Sequence, residues 1–516
     1  MRKVQKRNVT PYITLTLIFL LGFYVRLEPY LYEPNIPYGL GDAAFHYQVG
    51  KTLYEGKSLD YLWNGLGSNL RHDRFYYPPL SYYLMAFSAR LTGDFQHIVY
   101  VVNALFSSLA ILTTYLLIRE LLGEYPALAS SLFIALSIRD ISSLHWGQWH
   151  TAYSLAFVPL ILYFGIKSME KNTYLYLFAF STGLCILTYP PTAVFPLASF
   201  ILFAFFQTKG KLPWSLRQLL LSLTILLITV SPMYSSWGQL VNHTVSEGGV
   251  DWNQLGLTSW YPPEMKGIPV YPKEWYAPIF VYTLPGLVLI LIGVVILLLK
   301  CKAKAAHIPL RLSAVMVAVF YILLHSTLHF SHMRALKVVT LEPYVLLIAF
   351  SVPLSTKLVK GRGIKAAYLL LLAILVLTQL PPLCNVGENL FPVGVRLTPM
   401  QMEALNWLKT NTGGRSLVAY FGYNDFMLSW GTVLSDRMLL RPLNGTYYIE
   451  KEPVKLTGEV YALLDSNMPF IQPQRRAERL REVRAVNDKL SENSVPVFTN
   501  DEIIIRRINT NLSSLK

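Results

Sequence analysis

The chain has 516 residues, 53% of them hydrophobic and only 15% charged, with a mean hydropathy of +0.38. Apolar runs of about 17 to 25 residues recur along it, which excludes a single large soluble core and marks a polytopic membrane protein. The net charge of +15 would suggest nucleic acid in a soluble protein, but here Lys and Arg collect at the ends of apolar runs, where the inner-loop bias of basic residues accounts for them.

The first run follows a basic start, Met1 to Arg7, and ends at Arg26 and Glu28 without a small-residue cleavage site. It predicts an uncleaved first span rather than a signal peptide. Spans are predicted at roughly 12–27, 97–118, 126–143, 151–167, 173–188, 191–207, 216–234, 277–299, 310–328, 338–356 and 366–383, about eleven in all. Between the first two lies a long loop, 28–96. Within it, residues 80–89 are apolar but bounded by Pro79 and Arg90. About ten residues cannot cross about 30 Å of hydrocarbon, so this segment predicts an amphipathic helix at the interface.

Charge then orients the chain. With 80–89 not crossing, eighteen Lys and Arg residues between Arg2 and Lys365 share one side, and the short loops opposite hold Arg139, Lys266, Lys273, Arg334 and Lys337. The basic side is the inner one. The N-terminus is therefore expected in the cytoplasm, the 28–96 loop outside, and everything after residue 383 outside a plasma membrane. Cys185, Cys301 and Cys384 lie far apart and define no disulfide framework or thiolate metal site.

The outer face collects the chemistry. The first loop holds Gly41-Asp42-Ala43-Ala44-Phe45-His46 and Tyr76-Tyr77-Pro78-Pro79-Leu80; the second is Arg139-Asp140 through His145 to His150. Trp146 and Trp149 there read as interfacial belt residues. Thr188-Tyr-Pro-Pro-Thr192 makes a tight outer turn, and His325, His329, His332, Arg334 and Lys337 follow the ninth span. Ionisable residues are scarce in mid-span, and there are no paired broken helices of the transporter kind. Chemistry at one membrane face fits this pattern better than a pathway through the membrane.

Residues 384–516 change character. Helical patterns at 398–409 and 474–490 alternate with short apolar strands at 416–421, 495–499 and 502–507, the last two a hairpin across Asn500-Asp501. They predict a small α/β domain without a phosphate loop, nucleophile elbow or metal-ligand spacing. The expected division is thus a transmembrane domain, 1–383, and an extracytoplasmic domain, 384–516.

Gly41-Asp42 after the first span, Tyr77-Pro78-Pro79-Leu80 opening the interfacial helix, and Leu91-Thr-Gly-Asp94 behind it together resemble the GT-C superfamily of membrane glycosyltransferases. That superfamily includes protein O-mannosyltransferases, the aminoarabinose transferase and the catalytic oligosaccharyltransferase subunit. The resemblance implies an α-helical polytopic fold. It also implies a sugar donor carried on polyprenyl or dolichyl phosphate, and inverting transfer of a hexose or pentose to a hydroxyl of a glycan, lipid or protein. The chain departs from the mannosyltransferase branch at Ala43, where an acidic residue usually stands, and has Asp42-x-x-x-His46 instead. It lacks the Trp-Trp-Asp motif of oligosaccharyltransferases, which argues against en bloc oligosaccharide transfer.

The resemblance casts Asp42 as the general base; the plain reading of Asp42 is a helix N-cap. His46, one turn on, shares its face and is a candidate for the donor phosphate, with Arg334 and Lys337. Asp140, His145, His150 and Tyr77 are candidates around the acceptor or sugar. His325, His329 and His332 recur at i, i+4 and i+7, a spacing that suits a divalent metal and equally suits a polar helix end in water. No cofactor is implied beyond the lipid-linked donor, and a divalent metal stays open. The alternatives are a lipid-linked sugar flippase, and a GT-C-like protein that has lost its chemistry, as Ala43 suggests.

Overall fold

A computed structural model describes residues 9–39, 41–57, 78–211, 213–233, 278–330, 337–390, 396–413, 416–422, 425–435, 437–440, 448–449, 452–453, 459–467 and 473–508. The first helix, α1 (Thr10–Tyr32), runs past Arg26 and Glu28 because both charges are drawn into the bundle instead of ending the span.

Helices α2 (Gly41–Tyr54) and α3 (Leu80–Thr92) follow before the second span. Thirteen residues at 1.5 Å each make α3 about 20 Å long, too short to cross. Its Ser81, Tyr82, Met85 and Ala89 point into the protein, while Tyr83, Phe87 and Leu91, spaced one turn apart, are exposed. A short helix with one apolar exposed face thus stands where the sequence predicts one. Leu91-Thr-Gly-Asp94 is the corner behind it: Gly93 closes α3 in a left-handed conformation (φ 76°), and Asp94 accepts the His97 N–H to cap the next helix.

The bundle continues with α4 (Phe95–Leu122), α5 (Glu124–Ala135), α6 (Ile138–His145), α7 (Trp149–Leu155), α8 (Phe157–Ser168), α9 (Thr173–Thr188), α10 (Pro190–Thr208) and α11 (Leu216–Val230). It ends with α12 (Pro278–Leu299), α13 (His307–Phe330), α14 (Glu342–Ser351), α15 (Arg362–Leu383) and the short α16 (Val386–Leu390). Among the described residues nine helical segments are long and apolar enough to cross a membrane, and Thr173–Thr188 and Leu284–Leu299 are shorter apolar helices. Leu17, Phe205, Leu299 and Leu377 are exposed on the outside of the bundle, as lipid-facing side chains would be. Inside, Phe133 stacks on Phe350 at 4.3 Å.

The predicted small domain follows. Helix α17 (Pro399–Asn411) opens with a capping box in which Thr398 and Gln401 satisfy each other's backbone N–H groups. The helix α18 (Asp425–Ser435) lies between β1 (Leu417–Phe421) and β2 (Met438–Leu440). After the small ribbon β3 (Tyr448–Ile449) and β4 (Glu452–Pro453) come β5 (Val460–Asp465), α19 (Pro473–Ser491), β6 (Ser494–Thr499) and β7 (Ile503–Ile508). The five-stranded sheet has the order β2-β1-β5-β7-β6, parallel on the β1 side and antiparallel at β7. Asn500 makes the predicted hairpin turn, its Oδ1 accepting the N–H groups of Glu502 and Ile503.

This sheet does not have a core of its own alone. Leu405, Tyr420, Trp430 and Ile505 share one continuous apolar cluster with Ala43, Tyr47, Tyr82, Tyr100 and Trp149 of α2, α3, α4 and α7. The small domain is welded to the segment between the first two spans.

Candidate functional site

The Asp42 turn is built from small residues. Gly39 precedes it with φ +103°, and Gly147, in the turn between α6 and α7, has φ +89°. Both conformations favour glycine. A Cβ on either would come within 2.5 Å of the Ala43 methyl. Ala43 is fully buried between them, so an acidic side chain has no room at this position. The departure from the mannosyltransferase pattern is therefore a packing requirement of this chain. Asp42 itself is solvent-exposed in the first turn of α2, where the helix dipole favours a negative charge.

One turn deeper, His46 is buried. Its Nδ1 lies 2.9 Å from the Tyr82 hydroxyl, and its ring is 4.1 Å from that of His150, whose Nε2 is 3.2 Å from Ser81 Oγ. Helix α3 thus supplies the partners of both imidazoles through consecutive residues, and Trp149 lies beside His46 at 6.2 Å. Burial pushes the His46 imidazole down to about 3, and the positive charge of Lys337 adds to the effect. The same ammonium acts on His150 and sits 5.4 Å above the Tyr189 ring. His46 and His150, from two separate loops, pack ring against ring; Lys337, from a third, sits over Tyr189 near enough for its charge to act on both.

Asp140 and its neighbours differ from the exposed loop that the sequence predicts. Residues 139–150 fold as α6 and α7, and Asp140, His145 and His150 are at most 2% exposed. Trp146 and Trp149 are buried too and are not belt residues. The cause is Arg26, also 0% exposed, which pairs with Asp140 Oδ2 at 2.6 Å. Its other N–H groups go to Ser107 Oγ and the carbonyls of Gly22, Ile134 and Ala135. A guanidinium has five N–H donors, and all are used. Two of these acceptors are the terminal carbonyls of α5, so Arg26 caps that helix where the chain breaks at Leu136-Ser137. Tyr344 donates to Asp140 Oδ1 at 3.3 Å, Arg139 pairs with Glu342, and His145 Nε2 lies 3.3 Å from the Arg26 carbonyl. Asp140 ties α1, α6 and α14 together.

Arg334, Tyr77 and His332 lie outside the described residues, as does the side chain of His329. His325 is exposed and stacks on Tyr321. Among the described residues no three His, Cys, Asp or Glu side chains are grouped to hold a metal ion. The two His that do meet feel the positive charge of Lys337, and Asp140 is already paired with Arg26. Tyr82, Ser81, Tyr189 and Tyr344 were not singled out by sequence. Of these only Tyr189, beside the Pro-Pro pair, stood in a recognisable motif.

The segment 77–237 matches the family described as dolichyl-phosphate-mannose-protein mannosyltransferase. None of the curated proteins compared matches the sequence. Among solved structures, the ArnT of Cupriavidus metallidurans in the apo state is 12% identical with a TM-score of 0.57, over 98% of each chain. The same ArnT bound to undecaprenyl phosphate also gives 0.57 at 12% identity, over 98% of this chain and 99% of that one. The Archaeoglobus fulgidus oligosaccharyltransferase in the apo form is 14% identical with a TM-score of 0.55, over 89% of this chain and 70% of that one. The polytopic helical bundle with a small C-terminal sheet domain is thus the fold that this chain shares with these two proteins.

Proposed function

We propose that the protein transfers a single sugar from a polyprenyl-phosphate carrier to a hydroxyl acceptor at the outer membrane face, with inversion. The observation that carries this reading is the placing of an exposed carboxylate, Asp42, one helical turn from buried His46, which packs on His150 within reach of the Lys337 charge, on a GT-C-like fold. The similar ArnT of Cupriavidus metallidurans binds undecaprenyl phosphate, the kind of carrier this site would face.

In the proposed step Asp42 accepts the acceptor's hydroxyl proton as its oxygen bonds to the anomeric carbon. The bond from that carbon to the phosphate oxygen breaks, and its electron pair leaves with the polyprenyl phosphate. A carboxylate so placed contributes about 10²–10⁴ in rate. The leaving phosphate is stabilised by Lys337, with Arg334 as the further candidate cation; a guanidinium offers paired donors where Lys offers a point charge. Neutral His46 supplies a hydrogen bond and no charge. Asp140, locked by Arg26, serves structure. The domain division at residue 383, the outward placement of the C-terminal domain and the plasma membrane as location belong to the same proposal, motivated by the basic inner loops.

The test uses purified protein with a panel of radiolabelled undecaprenyl- and dolichyl-phosphate hexoses and pentoses. Asp42→Asn keeps the size but cannot take the proton. Transfer should fall by about 10² or more with unchanged melting. Parental transfer by Asp42→Asn refutes the mechanism. Movement of lipid-linked sugar across liposomes without transfer from any donor refutes the enzyme.

A further inference from the structure

Asp42 is exposed, so its place is set by the backbone beneath it and not by packing of its own side chain. Two separately encoded pieces grip that backbone. On one side Gly147 closes on the Ala43 methyl. On the other stands Trp430 of α18, in the C-terminal domain, fully buried. Its Nε1–H donates to the Gly39 carbonyl at 3.0 Å, and its ring meets Tyr47 edge-on at 5.4 Å. Gly39 and Tyr47 bracket Asp42, Ala43 and His46. The indole therefore holds the start of α2 from both ends of the stretch that carries the candidate chemistry.

We infer that Trp430 is a positioning residue for the Asp42 turn, so that the C-terminal domain is part of the catalytic apparatus. This rests on the reading of Asp42 as the base. Gly39, held at φ +103°, has its carbonyl fixed by one donor, and α2 begins two residues later. Loss of that donor leaves the carbonyl buried without its hydrogen bond and frees the turn to shift. A displacement of about 1 Å at a reacting group costs about 10²-fold in rate. The acceptor and lipid donor would still bind, because His46 and His150 are held by Tyr82 and Ser81 of α3 and Lys337 stands over Tyr189, all independent of Trp430.

The test variant is Trp430→Phe, which keeps an aromatic ring against Tyr47 but removes the N–H together with the pyrrole ring that carries it. With whichever donor in the panel supports transfer, kcat should fall about tenfold or more, while KM for that donor changes by less than about twofold. Trp430→His, which keeps a ring N–H, should recover part of the loss. In the Asp42→Asn background Trp430→Phe should cause no further loss, because its effect passes through Asp42. Independently of turnover, hydrogen exchange should quicken in a peptide covering residues 39–47 in Trp430→Phe. If that variant does not fold, Gly39→Ala should show the same kcat-selective loss and the same faster exchange. Unchanged exchange, or a loss that adds fully to that of Asp42→Asn, overturns the role of Trp430 while leaving Asp42 as the base. Parental transfer by Asp42→Asn removes the base itself.

Discussion

The Arg26–Asp140 pair permits a sharp test, because two readings of Asp140 predict opposite results. Both side chains are 0% exposed and 2.6 Å apart. Arg26→Met strands the carboxylate with Tyr344 as its remaining side-chain donor, and it uncaps the Ile134 and Ala135 carbonyls. Breaking a buried ion pair by removing one partner costs about 3–5 kcal/mol, and a lost hydrogen bond about 0.5–1.5 kcal/mol. Because the carbonyl bonds are part of the same network, these do not add in full, and about 4 kcal/mol is the working expectation. Arg26→Lys keeps the charge but offers three donors to five acceptors, and should recover only part. Melting in detergent, followed by circular dichroism, measures each variant and the cycle with Asp140→Asn. The pair should show coupling of at least about 1 kcal/mol. Melting of Arg26→Met within about 0.5 kcal/mol of the parent would refute the structural role. So would an Asp140→Asn variant that melts normally but no longer transfers sugar, since that is the signature of a catalytic carboxylate.

Two pH predictions follow from burial. The His46 imidazole, pushed down to about 3 by burial and then by Lys337, is neutral throughout the physiological range; kcat/KM should therefore show no acid limb near the free-histidine value of about 6.5, and a limb there that disappears in His46→Gln would contradict the buried arrangement. Asp465 accepts hydrogen bonds from Tyr420, Gln401 and the Asn467 N–H, yet burial, reinforced by Glu502, raises its carboxyl to about 7. The native state thus holds this proton more tightly than the unfolded chain, so its stabilising effect is full at low pH and is lost as pH rises from about 4 to about 7. Asp465→Asn should flatten that part of the melting profile; a slope equal to the parent's would show that another group titrates there.

The apolar spans, the short helix at 80–92 and the first, last and hairpin elements of the small domain were legible in the sequence because each follows from local pattern; β2, β5 and α18 were not, because their register is set by the sheet they join. Thirteen residues between Pro79 and Gly93 are too few to cross, whatever surrounds them. Thr398 with Gln401, and Asn500 before Glu502, carry their cap and turn chemistry within a few residues. The grouping of His46, His150 and Lys337 was legible only as three outward loops, since nothing local says which loop faces which. Arg26 shows the limit most clearly. At the end of an apolar run it reads as an interface residue. Its burial depends on an aspartate 114 positions away and on the free carbonyls of a helix that breaks at Ser137. Ala43 read alone as a lost acid, whereas its neighbours Gly39 and Gly147 make alanine the residue that fits. Local pattern determined which segments enter the membrane and which caps end them. Contacts between distant segments decided which charges are neutralised inside and which carboxylate, Asp42, is left facing solvent. Burial of charge depends on partners brought by the whole fold, and no window of sequence contains them.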